Sequence, residues 1–287
     1  MTMKALVRTL TACAAALIAS GAMAQTTVYD AHQSASLYGR LAQNDLPGIG
    51  NVACGPSATA NSLLYLQNRY GSIYGASLVP AQSQDLNHDG KISNYDALMA
   101  VAQTLASSGY ANTQSYGTPP GPLLTGTGKY LEERVAGKFV IAAQSGYPWD
   151  PALNPQPAMP VEHAWPTWNF LYSHLQQGSA VQIMLDWTTG GHYVSLTGLH
   201  WGDGDGDGTV DAGEATAECV DPWTATVMTR SLFQTAPGGE FYLDSMLSHS
   251  RPALGAAITI TAIPEPASLL LLSVASLALL RRRKATG

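Results

Sequence analysis

The chain has 287 residues with a formal charge of −6, long enough for one large domain or two small ones. Removing the six cations of two terminal signals, described below, takes the charge to −12. An exported domain that acidic makes nucleic acid and anionic membrane surfaces poor partners and bound cations good ones.

Lys4 and Arg8 precede an apolar run over residues 10–18 and the small-residue pattern Ala22-Met23-Ala24. This is the layout of a secretory signal, residues 1–24, removed before Gln25. Cys13 leaves with it, so the exported domain keeps Cys54 and Cys219, which an oxidising compartment would let pair. Residues 25–50 are polar and irregular, a loop or short edge segment that leads through Gly48-Ile49-Gly50 to a helix start. Pro56 suits the first helical position, and Ala58, Leu63, Leu64 and Leu66 form an apolar stripe with Gly71 as the expected stop. Cys54 therefore sits at the positive end of a helix dipole, which favours its nucleophilic thiolate form.

Residues 85–96 place Asp85, Asn87 and Asp89 at positions 1, 3 and 5 of a loop, Gly90 at 6, the Lys91 carbonyl at 7 and Asp96 at 12. That is the oxygen-ligand spacing of an EF-hand calcium loop, with Ile92 expected to pack inward. A helix over 95–107 follows, then a short helix at 129–135 and a strand at 138–143. The proline-rich stretch 147–166 reads as loop, suited to wall a cleft. Residues 168–177 read as a short amphipathic helix, and 180–187 and 192–201 as buried strands joined by Thr188-Thr189-Gly190-Gly191.

A second acidic loop spans 203–214. Asp203, Asp205, Asp207, the Thr209 carbonyl, Asp211 and Glu214 take the ligand positions, with Gly208 at the turn and Val210 facing inward. Without a cation its carboxylates would repel one another at close range, so Ca2+ is the expected cofactor, more strongly here than at the first loop. The ion is expected to fix the register of the strands on either side. Strands then run to Asp221 and over 227–232 and 256–262. Trp187, Trp201 and Trp223 are expected in the core or on a cleft wall.

The C-terminus reads Pro264-Glu265-Pro266, an apolar run over 267–280, and Arg281-Arg282-Arg283-Lys284. As a helix the 14 apolar residues span roughly 21 Å against a hydrocarbon core of roughly 30 Å, which suits a sorting signal better than a permanent anchor. These parts resemble the exosortase-recognised PEP-CTERM signal of Gram-negative bacteria. The resemblance implies export, transient inner-membrane association with the basic end cytoplasmic, and cleavage near 264–266 by an exosortase-type enzyme. The product would then reach the cell surface or extracellular matrix. The first acidic loop, ending in Asp, resembles the dockerin version of the EF-hand loop.

Three further motifs fall in order: Cys54-Gly55-Pro56, then Gly190-Gly191-His192-Tyr193-Val194 with Thr197-Gly198, then Asp221-Pro222-Trp223. Together they resemble papain-like cysteine peptidases, most closely the bacteriocin-leader, double-glycine branch. The resemblance implies an α+β fold over 25–262, in which an N-terminal helical part carries the cysteine helix against an antiparallel sheet carrying His and Asp. It also implies Cys54 as nucleophile, His192 as base, Asp221 as orienting acid and a peptide or protein as substrate. The family's oxyanion amide, normally a Gln about six residues before the cysteine, is replaced here by Gly48. Asn51, Gln43 and Asn44 are the candidates for its role. The domain is expected to be a monomer. The competing expectation is a catalytically silent surface or matrix binding protein on the same scaffold, with Cys54 and Cys219 joined in a disulfide.

Overall fold

The computed structural model describes residues 27–147, 157, 159 and 161–263; both terminal signals lie outside these residues. The chain enters through β1 (Thr27–His32) and three single 3₁₀ turns, then forms α1 (Cys54–Tyr74), α2 (Asn94–Ala106), α3 (Pro120–Val135) and β2 (Phe139–Ser145). After α4 (Trp168–Gln176) it turns to strands: β3 (Ala180–Trp187), β4 (Gly190–Asp203), β5 (Ala215–Asp221), β6 (Thr226–Gln234) and β7 (Phe241–Leu243). A small hairpin of β8 (Ser245–Met246) and β9 (His249–Ser250) precedes β10 (Ala253–Ala262).

Six strands close on themselves in the order β4-β3-β10-β7-β6-β5, with β5 pairing back to β4. Every pairing is antiparallel. Closure removes exposed edges, and β3, β4 and β10 are buried along most of their length. Two strands lie outside the ring. β1 extends it along the far half of β4, Thr27 opposite Asp203, and β2 is laid on β10. The polar entry segment thus holds the edge strand that its composition allowed.

The first half of α1 is buried on all sides, from Cys54 through Leu66, where only a stripe was expected. The reason is its place between the ring and the other helices: Leu63, Tyr65 and Leu66 share a core with Leu98, Met99 and Leu105 of α2 and Leu131 of α3. A second core gathers residues from every strand of the ring beneath Leu171 and Leu175 of α4. Polar contacts fix the docking. Ser195 on β4 donates to the Ala58 carbonyl at 3.0 Å, and Thr59 donates to the Gln182 side chain on β3 at 3.0 Å. α1 runs past the expected stop at Gly71, departs from helical geometry at Tyr70, and ends at Gly75, whose φ of 67° supplies the left-handed cap.

α3 starts nine residues earlier than expected, at Pro120. Its glycines argue against a helix in the sequence, yet they permit close contact. A Cβ on Gly126 would lie 2.4 Å from the Ala111 backbone nitrogen.

Candidate active site

The hairpin of β3 and β4 brings Trp187 opposite Gly190 and Leu185 opposite His192. β5 ends beside this hairpin at Asp221, and the N-terminus of α1 points at the same place. A cleft of about 420 Å³ results, lined by Gln43, Asn51, Cys54, Trp187, His192 and Trp223 among others. A slightly larger one of about 480 Å³, lined by Trp165, Trp168 and Trp201, lies away from these groups and contains no nucleophile.

Cys54 is the first residue of α1, and Ala53 before it provides no side-chain cap. The helix's first N–H groups are therefore left for other partners. Burial pushes the Cys54 thiol up, but hydrogen bonding to His192, the His192 charge and the backbone N–H groups of Tyr193 and Gly55 outweigh it. The thiol ends below its ordinary value. His192 responds in the opposite sense. Burial pulls it down, the hydrogen bonds to Asp221 and Cys54 pull it up more strongly, and it reaches about 9. The arrangement favours a thiolate beside an imidazolium.

His192 Nε2 donates to Asp221 Oδ1 at 2.8 Å, which leaves Nδ1 as the nitrogen for the sulfur. Asp221 is itself held by the Trp223 N–H at 2.8 Å and the Thr224 hydroxyl at 3.2 Å. Both residues are almost fully buried. The turn after Pro222 thus fixes the carboxylate, Trp223 sharing Oδ1 with the histidine and Thr224 holding Oδ2.

The three amide candidates separate clearly. Gln43 is buried at the cleft; its backbone N–H donates to the Pro222 carbonyl at 2.7 Å and its side-chain amide to the Gly50 carbonyl at 2.8 Å. Gln43 Oε1 is buried without a partner. Asn51 lines the cleft but is exposed, while Asn44 is exposed and stands outside it. Gln43 reaches the site because residues 43–52 fold into two short 3₁₀ turns before the helix. Gln43, one of the three candidates, stands eleven residues before Cys54, where the resembled family places its amide about six before.

Cys54 and Cys219 are both free thiols, so the expected alternative of a disulfide is corrected. Strand alternation is the cause. Val220 packs in the core beneath the helices, which turns Cys219 into the core of the ring, whereas Cys54 packs with Ala58, Leu123 and Tyr193. Burial, then the Asp221 charge, pushes the Cys219 thiol well up, leaving it inert.

Trp187 and Trp223 stand on the cleft wall, and Trp201 is in the core, stacked on Tyr29. The described residues of 147–166 line other cavities instead of this cleft. The remaining wall was not foreseen: Leu247, Ser248 and His249, at the tip of the β8–β9 hairpin. His249 stacks on Trp187 with ring centroids 4.2 Å apart. Leu247 and Ser248 hold φ of 48° and 68°, values usually signalled by Asn or Gly, so the turn left no trace in the sequence.

The two acidic loops differ. On 203–214, ligand oxygens of Asp203, Asp205 and Glu214 lie within 4.8 Å of one another, as do those of Asp205, Asp207 and Asp211. Thr209 is nearly buried, Val210 is only 1% exposed, and its carbonyl accepts from Gln234. Burial and then the charges of Asp207 and Asp205 raise Asp211 above the ordinary carboxylate value. This all-oxygen set fits a hard divalent cation. On 85–96 no three acidic residues converge among the described ones. Asp96 is buried and caps α2 in a capping box with Ser93, accepting from the N–H groups of Leu86 at 2.7 Å and Ser93 at 2.8 Å. Asp85 accepts from Gly90, and Asp89 from Lys91, each at 2.8 Å. Asn87 accepts from Asp89 at 3.1 Å. Ile92, expected to pack inward, is 57% exposed. Backbone N–H groups bond these oxygens much as they do on the second loop, where Gly206 and Gly208 donate to Asp203 and Thr209 to Asp207.

Residues 262–284 match the PEP-CTERM protein-sorting motif. The motif implies export, recognition by an exosortase-type processing enzyme and membrane-associated sorting in a Gram-negative bacterium. Comparison with curated proteins returns no match. No helix among the described residues is long and apolar enough to cross a membrane.

Proposed function

We propose that the exported domain is a cysteine peptidase of papain-like architecture, acting on peptide or protein substrates through Cys54, His192 and Asp221. The observation that carries this reading is the buried hydrogen-bonded chain from Asp221 through His192 to a cysteine at a helix N-terminus, open to a cleft. The Cys54 thiolate attacks the scissile carbonyl. His192 delivers its proton to the departing amine, then takes one from the water that releases the acyl group. Asp221 keeps the imidazole oriented through Nε2. The oxyanion is held by the Cys54 backbone N–H and the Gln43 side chain. Ca2+ at Asp203, Asp205, Asp207, Thr209, Asp211 and Glu214 closes the β4–β5 connection, and the loop of Asp85, Asn87, Asp89, Lys91 and Asp96 is the weaker cation site, its Asp96 also capping α2.

A thiol-reactive peptide-like probe tests the assignment. It should label Cys54, and His192→Ala should abolish labelling. A reduced, folded chain that resists the probe would favour a silent binding protein.

A further inference from the structure

The ring has two ends, and the site occupies one of them. Ala253, the first residue of β10, pairs with Asp186 beside Trp187. Ala262, the last, lies nine residues on, about 30 Å along the strand. The Ile263 N–H bonds the Lys138 carbonyl there, and the sorting motif begins at this point. Only Pro264, Glu265 and Pro266 separate Ile263 from the apolar run at 267, a span of at most about 14 Å. The run is also some 9 Å shorter than the hydrocarbon core if helical, a mismatch that draws whatever flanks it toward the bilayer.

The surface at that end suits such proximity. Val140 is 51% and Ile263 36% exposed, two of the few large apolar side chains on the outside. On the other face of the same strand, Phe139 borders a groove of about 430 Å³ lined also by Thr125, Gly128, Lys129, Glu132, Gly137 and Met159. Of the eight lysines and arginines between the terminal signals, Lys129, Arg134 and Lys138 fall within ten residues here, against Glu132 and Glu133. The acidity of the whole domain disfavours free adsorption to an anionic surface, but a tethered domain presents this face alone.

We propose that the end of the sheet where β2 begins and β10 finishes, with Val140, Ile263 and the groove bordered by Phe139, is a membrane-contact surface. The bilayer covers it while the tail is intact, and the cleft opens on the opposite side. The proposal rests on the sorting motif and the strand register, not on peptidase activity.

The test reconstitutes the exported chain with its tail in vesicles of phosphatidylcholine and phosphatidylglycerol containing brominated lipid. A fluorophore is attached at Val140→Cys or at Ser248→Cys, on a Cys54→Ala background. Quenching should be at least about threefold stronger at 140 than at 248, since lipid quenchers act only at contact with the bilayer. Chain lacking residues 264–287 should lose it. Lys129, half exposed, offers a second labelling position should Val140→Cys not fold. Equal quenching at the two ends would overturn the proposal. So would shielding of residue 140 in the lipid-free chain, which would place the tail on this end, or shielding that depends on protein concentration, which would place a second copy there.

Discussion

Replacing Asp221 by Asn isolates the charge at the centre of the site. The carboxylate accepts from His192 Nε2 and the Trp223 N–H, both at 2.8 Å, and from Thr224 at 3.2 Å. Asparagine preserves the shape and one acceptor oxygen but leaves the imidazolium without its counter-charge. A hydrogen bond to a charged group contributes about 1.5–3 kcal/mol, and one pKa unit corresponds to about 1.4 kcal/mol. His192 should therefore fall from about 9 by about one to two units. The rate of Cys54 alkylation by iodoacetamide against pH reads this without a substrate. In the parent the rate rises as the thiol ionises, below its ordinary value, and changes again near 9 as the imidazolium is lost. In Asp221→Asn the upper limb should move to lower pH. The lower limb should rise, because a neutral imidazole no longer supports the thiolate, so the window narrows from both sides. Cys219, buried with a raised thiol pKa, should not contribute, which Cys219→Ala checks. An upper limb that stays near 9 in Asp221→Asn, or that persists in His192→Ala, would refute the reasoning.

Gln43→Ala should lower peptide turnover by about 10²–10³-fold while changing Cys54 alkylation only a few-fold, because the amide acts on the oxyanion and not on the thiolate; equal losses in both assays would mean a collapsed site. Melting should not respond to reductant, since the two thiols are free, and a fall in Tm on adding it would restore the disulfide. Gly126→Ala should cost about 1–3 kcal/mol in urea denaturation, because its Cβ would overlap the backbone of Ala111; an unchanged midpoint would contradict the helix packing.

The residues that do the proposed chemistry were readable because the chemistry restricts their types and their order along the chain. Cys54, His192 and Asp221 come together as the three motifs required, and the hairpin of β3 and β4 falls within a residue or two of its expected bounds. What the sequence obscured depends on contacts between distant segments. The glycines of α3 lower its helix propensity, and only the approach to Ala111 explains them. Gln43 enters the site through two 3₁₀ turns and a bond to the Pro222 carbonyl, so its distance from Cys54 in sequence is uninformative. The β8–β9 tip adopts left-handed conformations with leucine and serine. Position 12 of the first acidic loop fits a metal ligand and a capping-box acid equally well, and in the structure Asp96 caps α2 with Ser93.

The register of the ring also changes what a cation on the second acidic loop can do. Along β4, eleven residues separate His192 from Asp203, about 36 Å of strand, and along β5 the loop's end at Ala215 is about 20 Å from Asp221. An ion there cannot touch the catalytic groups. Nor does it need to set the register near them, because Ser195 and Leu196 already pair with Val220 and Cys219 before a bulge separates this part from the loop-proximal half. Its effect should be local closure of the β4–β5 connection, reinforced by buried Val210 and its bond to Gln234. Chelation should then lower Tm and speed amide exchange in residues 199–203 and 215–217, while residues 192–196 and 219–221 keep their protection and Cys54 its alkylation rate. Exchange that rises equally at both ends would show that the ion holds the whole ring, and unchanged melting in excess chelator would remove the ion altogether.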